Sequence, residues 1–596
     1  MPKNKKPRKK KSAVSGAKPP ENIKKIVTNA IQQSVALHQQ GNISEALEIT
    51  KQALVRAPNN ITLLNNAGAF TAMLGDFKQS KIHLSKSLKI RPQDINTLNN
   101  LSNVLAELKQ YDQASDIYRQ ILKLDSNDAV AHSNFANALQ KQGSHQEAEK
   151  HYLIAIQLDP NNVVTCSNLG ALYKEQKNIS KAKEFYQKAL KLNPNFAEAH
   201  NNFGLLLKEV KQFSDAETCY QNALNLNPKY SEAHNNLGEL FREKKQFEQA
   251  KDCYQRALSI DTNYTAVKWN LSLLQLALTN FSEGWKCYET RNHSENTTTS
   301  PVFPIVTTIQ YQGENLNQDL KNKHLLIIPE QGVGDEVMFA SVLPELADVV
   351  AQNPNIQITL ACDPRLVELF ERSFDFVNVI PSEPDNRYQN LDADLDYWMF
   401  IGSLPKFYRN DIKDFDKHQP YLKVDDTLLI KWQDRFKQLP HKLNIGISWI
   451  GGKTEENRAD RSLILEKMFP ILTKANQNAN IINLQYGNHK EEIQTFKDQT
   501  GIIIHDWEDA DPLKDLDNFA AQIKALDLVI SIDNSTVHFA GALGTKTYVM
   551  LPFNQDWRWA EDRNDSYWYP NIMTLFRQSQ DGEWDEVIQN VANSIQ

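Results

Sequence analysis

The chain has 596 residues, 41% hydrophobic and 23% charged, with a mean hydropathy of −0.54. That composition argues against wholesale disorder and a membrane bundle, and at about 150 residues per domain it favours several compact units. No window approaches the roughly 18 uninterrupted apolar residues of a spanning helix, so a soluble chain without a membrane span is expected. The net charge is −7, yet residues 1–20 hold eight cations and no acid, leaving −15 for the remainder, which argues against nucleic acid lying along the folded body.

Residues 1–26 read as a basic tail carrying Lys3, Lys5, Lys6, Arg8, Lys9, Lys10, Lys11 and Lys18. It lacks the apolar stretch of a secretory signal. The expectation is a solvated, disordered segment; an electrostatic contact with anionic membrane, RNA or an import receptor is the alternative.

From residue 27 the sequence repeats every 34 residues. Pro58, Pro92, Pro160, Pro194 and Pro228 share one register, with Ser126 and Thr262 in the two other slots. Ala46, Ser80, Ala114, Ala148, Ala182, Ala216, Ala250 and Gly284 share another, and Tyr118, Tyr152, Tyr186, Tyr220, Tyr254 and Tyr288 a third. Each of about eight units reads as two amphipathic helices: the small residue lets them approach, the Tyr fills the space between them, and the Pro ends the second. Residues 27–292 thus resemble tetratricopeptide repeats, which implies an α-solenoid superhelix in which each unit touches its neighbours.

Cys219, Cys253 and Cys287 occupy one repeat position, so neighbours lie about 10 Å apart by helix-packing distance, beyond the roughly 7 Å reach of a disulfide. They read as small buried hydrophobes. Five cysteines without a Cys-x-x-Cys pair fit a reducing compartment, and the cytoplasm is the expected location.

The first helix of each unit carries a ladder of amides: Asn66, Asn100, Asn134, Asn168, Asn202, Asn236 and Asn270. An amide offers both a donor and an acceptor, as a peptide backbone requires. The repeat half also resembles that of O-linked N-acetylglucosamine transferases, where such a ladder on the concave face grips an extended acceptor. The partner implied is a protein or peptide; packing between repeats is the alternative role.

A polar connector, residues 293–322, breaks the period. Beyond it, His324–Glu330, Ile356–Cys362, Leu443–Ile450, Asn480–Gln485, Gly501–His505, Leu528–Ile532 and Lys546–Leu551 read as strands alternating with helices, and Tyr421–Lys442 as a helical hinge. Such alternation implies parallel sheets with helices on both faces. Two Rossmann-like lobes follow, residues 323–440 and 441–596, with sites expected beyond the carboxyl ends of strands.

Two strand–turn–helix segments qualify. Glu330-Gln331-Gly332-Val333-Gly334-Asp335 has neither the Lys-Ser/Thr of a Walker loop nor the third glycine of a dinucleotide fingerprint. Asp533-Asn534-Ser535-Thr536-Val537-His538 offers helix N–H groups and two hydroxyls to a diphosphate. Together with Gly446-Ile447-Ser448-Trp449, Arg461-Ser462, Leu484-Gln485-Tyr486-Gly487 and Asp556-Trp557-Arg558-Trp559, they resemble the heptosyltransferase-like glycosyltransferases fused to tetratricopeptide repeats.

That resemblance implies a two-lobed α/β fold of the GT-B type, a nucleotide-diphosphate sugar as co-substrate, no cofactor and no metal, and transfer with inversion. Asp335 becomes the base. Donor contacts fall to Gly332, Gly334, Ser448, Arg461, Gln485, Asp533, Asn534, Ser535, Thr536 and His538, with Arg458 a further candidate cation. The heptosyltransferases carry Asp-Thr-Gly where this chain has Asp533-Asn534-Ser535. The aromatic residues Trp449, Trp557, Trp559, Tyr567, Trp568 and Tyr569 suit either ligand stacking or core packing. The Asp-Ala-Asp runs at 392–394 and 509–511 read as surface loops. The expected function is sugar transfer to an acceptor recruited by the repeats; the alternative is an interaction scaffold with an inactive transferase-like domain.

Overall fold

The computed structural model describes residues 21–293, 309–353, 355–382, 395–452 and 461–595. The basic segment 1–20, residues 294–308 of the polar connector, Arg458 and the 392–394 run lie outside the described residues. Two compact units result, ending and starting at Asn236 and Leu237.

The first unit is helical. Six pairs run from Glu21–Gln39 with Ile43–Arg56 to Ala197–Glu209 with Phe213–Leu226, and Ser231–Glu243 begins a seventh. Ala46, Ser80, Ala114, Ala148, Ala182 and Ala216 are wholly buried, as are Tyr152, Tyr186 and Tyr220. The tyrosine ring sits where the opposite helix carries no side chain: a Cβ on Gly204 would lie 2.7 Å from the Tyr220 ring. Asn60, Asp94, Asp128 and Asn162 cap first helices by accepting a backbone N–H three residues on. Each inter-helix turn needs one residue in the left-handed region, supplied by Gly41, Gly75 and Gly143 but by Lys109, Lys177 and Lys211 in other units.

The second unit continues with Phe247–Ile260, Thr265–Ala277 and Phe281–Tyr288, completing sixteen repeat helices among the described residues. Two parallel sheets follow. The first has strands β1 (Ile309–Gln310), β2 (His324–Ile328), β3 (Gln357–Cys362), β4 (Asn378–Pro381) and β5 (Tyr397–Phe400), in the order β1-β5-β2-β3-β4. The second has β6 (Leu443–Ser448), β7 (Ala479–Asn483), β8 (Ile504–His505), β9 (Leu528–Ile532), β10 (Thr547–Leu551) and β11 (Met573–Arg577), in the order β11-β10-β9-β6-β7-β8. Strand order reverses between β2 and β5 and again between β6 and β9. Such reversals leave a crevice at the strand ends.

The seven expected strands are all present, β9 with the expected bounds, β7 shifted to begin at Ala479 and the others trimmed, and β1, β4, β5 and β11 are additional. The hinge contains the helix Asp426–Lys437. Phe281, Trp285 and Tyr288 of the last repeat helix pack against Phe415 and Trp557 at ring separations of 4.9 to 5.8 Å. The Trp285 indole donates to the Arg409 carbonyl at 2.6 Å. Trp449, Trp557, Trp559, Tyr567, Trp568 and Tyr569 are all buried, which settles them as packing residues.

Candidate functional site

Both reversal points carry a glycine- or asparagine-led turn into a helix. After β2, Gln331 and Gly332 lead into the helix Val333–Phe339; after β9, Asn534 caps the helix Ser535–Leu543, its side chain accepting the Thr536 N–H at 3.0 Å. The two helix starts abut: a Cβ added to Gly334 would lie 3.2 Å from Ser535 Cα and 3.3 Å from the His538 ring. Tyr421, in the connection between the sheets, ties both helices, donating its hydroxyl to the Val337 carbonyl at 2.6 Å and its N–H to the Ala542 carbonyl at 3.0 Å.

A cavity of about 620 Å³ opens there. Its lining includes Gly332, Gly334, Asp335, Arg461, Asp533, Asn534, Ser535, Thr536 and His538, so the structure gathers most of the expected site. Ser448 and Gln485 lie beneath it. The Gln485 carbonyl accepts from the Ser448 hydroxyl and from the N–H groups of Trp449 and Ile450 at 2.8 to 3.0 Å, and Asn534 donates to Ser448 at 2.7 Å. These two residues therefore orient the turn.

The charges form an alternating ladder. Arg558 pairs with Asp335 and with Asp556, the latter at 2.6 Å, and also donates to Gln331 at 2.8 Å. Arg461 lies 3.7 Å from Asp556 and 3.6 Å from Asp533. Burial pushes the Asp335 carboxyl above the usual range against the pull of Arg558. Burial also raises Asp556, but Arg558 and Arg461 hold it below that range. Glu336, beside Asp335, is pushed up to about 8 by burial. His538, buried against Trp559 and 3.2 Å from the Tyr569 hydroxyl, is pushed down to about 3 and stays neutral.

Gln331, Glu336, Asp556 and Arg558 escaped sequence reasoning as site residues. Glu336 carried a signal, a second carboxylate next to Asp335. Arg558 carried none that names its partner, 223 residues away. Among the described residues no group of three or more His, Cys, Asp or Glu is arranged to hold a metal ion, and no helix is long and apolar enough to cross a membrane. Asp509 is engaged by Arg435 and Lys431 in an exposed ion-pair network, a surface role.

In the Asn ladder, Asn236 is buried and the other six are half-buried. Several amides bond to the preceding repeat: Asn100 to Asn65 and Asn236 to Asn201 at 2.9 Å, and Asn270 to Glu239 at 3.0 Å. The Asn66 nitrogen is buried without a partner among the described residues.

Comparison with known proteins matches tetratricopeptide-repeat families over residues 99–163, 163–196 and 195–263. Protein FlbA of Caulobacter vibrioides is 32% identical over 289 residues, which span 47% of this chain and 47% of FlbA, about half of each. Among solved structures, a tetratricopeptide repeat protein from Parabacteroides merdae ATCC 43184 is 17% identical, with a TM-score of 0.39 over 42% of this chain and 99% of that one. YrrB, described as a tetratricopeptide protein with an unusual peptide-binding site, is 22% identical, with a TM-score of 0.24 over 31% of this chain and 95% of its own. The paired helices that open this chain are therefore tetratricopeptide repeats.

Proposed function

We propose that the chain is a glycosyltransferase of the GT-B type, moving a sugar from a nucleotide-diphosphate donor, without metal and with inversion, to a polypeptide acceptor held by the repeats. The observation that carries this reading is the abutment of the Asp335 turn with the Ser535 helix start, at the points where both sheets reverse order. With 22% of its side chain exposed, Asp335 remains open to the cavity. Burial raises its carboxyl, the direction that makes it a stronger base.

In the proposed step the acceptor oxygen bonds the anomeric carbon as the bond from that carbon to the diphosphate oxygen breaks. The hydroxyl proton passes to Asp335, and the electron pair leaves with the diphosphate. Arg461, Arg558 and the dipole of the helix Ser535–Leu543 meet the departing charge.

A panel of ADP-, UDP- and GDP-sugars, with cell extract as acceptor, tests the reading. Turnover that Asp335→Asn abolishes supports it; no turnover of any donor by the wild type refutes it. The Asn168→Ala/Asn202→Ala variant separates the halves, since it should weaken acceptor transfer while donor hydrolysis persists. A second reading, an interaction scaffold with an inactive domain, is favoured by the Arg558 ion pair that occupies the Asp335 carboxylate. Protein capture without donor turnover is its signature.

A further inference from the structure

The cavity poses an electrostatic problem for an anionic ligand. Its lining holds five carboxyl groups (Asp335, Glu336, Asp363, Asp533 and Asp556) and three arginines. Each arginine is already paired. Arg365 forms a two-pronged contact with Asp363 at 2.7 and 2.8 Å and also donates to the Pro512 carbonyl, a fixed arrangement. Among the described residues Arg461 is paired with Asp533 at 3.6 Å and Asp556 at 3.7 Å. Arg558 alone among the described arginines touches Asp335. Among the described lining residues, a diphosphate therefore gains a guanidinium only by taking one from a carboxylate.

The geometry singles out Arg558. Its residue is 9% exposed, its Nε has no hydrogen-bond partner among the described residues, and its guanidinium lines the cavity. Its contact with Asp556 is local: the same carboxylate also accepts the Arg558 N–H at 3.1 Å, so that end of the fork is anchored two residues away in the chain. The Asp335 end crosses the cavity from the first sheet's half to the second's. A guanidinium presents five donors in a plane and binds phosphate oxygens in pairs, and a diphosphate carries more negative charge than one carboxylate.

We propose that Arg558 is a ligand-operated latch: its guanidinium exchanges Asp335 for the diphosphate of an incoming ligand, and that exchange releases the Asp335 carboxylate. The proposal rests on the diphosphate-donor reading above. It adds an order of events, since the base is unmasked only when the group that becomes the leaving group has taken the arginine. Arg558 acts on the reaction by touching the diphosphate.

Calorimetric titration of inorganic pyrophosphate into the full chain tests the latch through a double-mutant cycle on Asp335→Asn and Arg558→Ala. Removing the competing carboxylate should tighten pyrophosphate about tenfold, removing the guanidinium should weaken it about tenfold, and Asp335→Asn should have little effect once Arg558 is gone. Arg558→Gln replaces Arg558→Ala if the latter fails to fold, as judged by its melting temperature. Three results overturn the proposal: no tightening in Asp335→Asn, equal tightening with and without Arg558, or no binding by wild type and Asp335→Asn up to about 10 mM. Donor turnover is read separately. A positive cycle without turnover sinks the transferase and keeps the latch; turnover with a flat cycle does the reverse.

Discussion

Tyr288, the last of the repeat tyrosines, accepts a 2.8 Å hydrogen bond from the side-chain amide of Gln331, whose oxygen in turn accepts from Arg558. Gln331 holds a left-handed backbone with φ of 64°, a conformation that costs energy in a residue with a Cβ. A repeat side chain thus steadies the turn that leads to Asp335. Tyr288→Phe keeps the buried ring and removes the acceptor. It should cost about 1 kcal/mol of stability and weaken pyrophosphate about threefold, read by denaturant unfolding and calorimetry.

Behind that turn, Arg291 and Glu330 form a buried two-pronged ion pair at 2.5 and 2.7 Å, and the Gly402 N–H donates to the same carboxylate at 2.7 Å. A Cβ on Gly402 would collide with the Glu330 carboxylate. Gly402→Ala should therefore displace one partner of a buried pair and destabilise the chain by about 3 kcal/mol. Unfolding within about 0.5 kcal/mol of wild type would contradict this.

Thr279 occupies the left-handed turn position of the last unit with φ of 60°, although it is β-branched. Thr279→Gly should stabilise the second unit by about 1 kcal/mol, because glycine adopts that conformation without a Cβ clash. A lowered denaturant midpoint would count against it.

Glu336 predicts a pH effect. Its carboxyl ionises near 4.5 unfolded but is pushed up to about 8 in the folded chain. The folded state therefore holds a proton that the unfolded state has lost. The stabilisation is complete below the lower value and disappears as pH rises through the upper one, with a slope of at most about 1.4 kcal/mol per pH unit. Glu336→Gln cannot ionise, so its stability relative to wild type should grow steadily across that window. Parallel curves would exclude the effect.

The apolar runs of β2, β3, β6, β7, β9 and β10 made those strands legible, because a strand covered on both faces has no reason to alternate. β4 ends in Pro381, β1 is two residues long, and β5 is four residues of mostly aromatic side chains, so none offered a run long enough to recognise. The 34-residue period exposed the helix pairs. It hid the left-handed turn position, where three glycines announce the conformation but lysines at 109, 177, 211 and 245 do not. In the cavity, the two turns were readable because strand, turn and helix follow one another in sequence. The ion pairs that close it were not, since Arg558 and Asp335 meet only through folding.

The commitment of Phe281, Trp285, Tyr288 and Arg291 to the sheets gives the terminal helix pair a different evolutionary standing from its predecessors. An array of like modules tolerates gain or loss of a whole module, because each joint is equivalent to the next. At this end the equivalence is broken: a transplanted cassette would bring a tyrosine but neither the tryptophan seated on Arg409 nor the arginine that grips Glu330. Natural variation in array length is thus expected ahead of Thr265, with the final pair inherited together with the sheets.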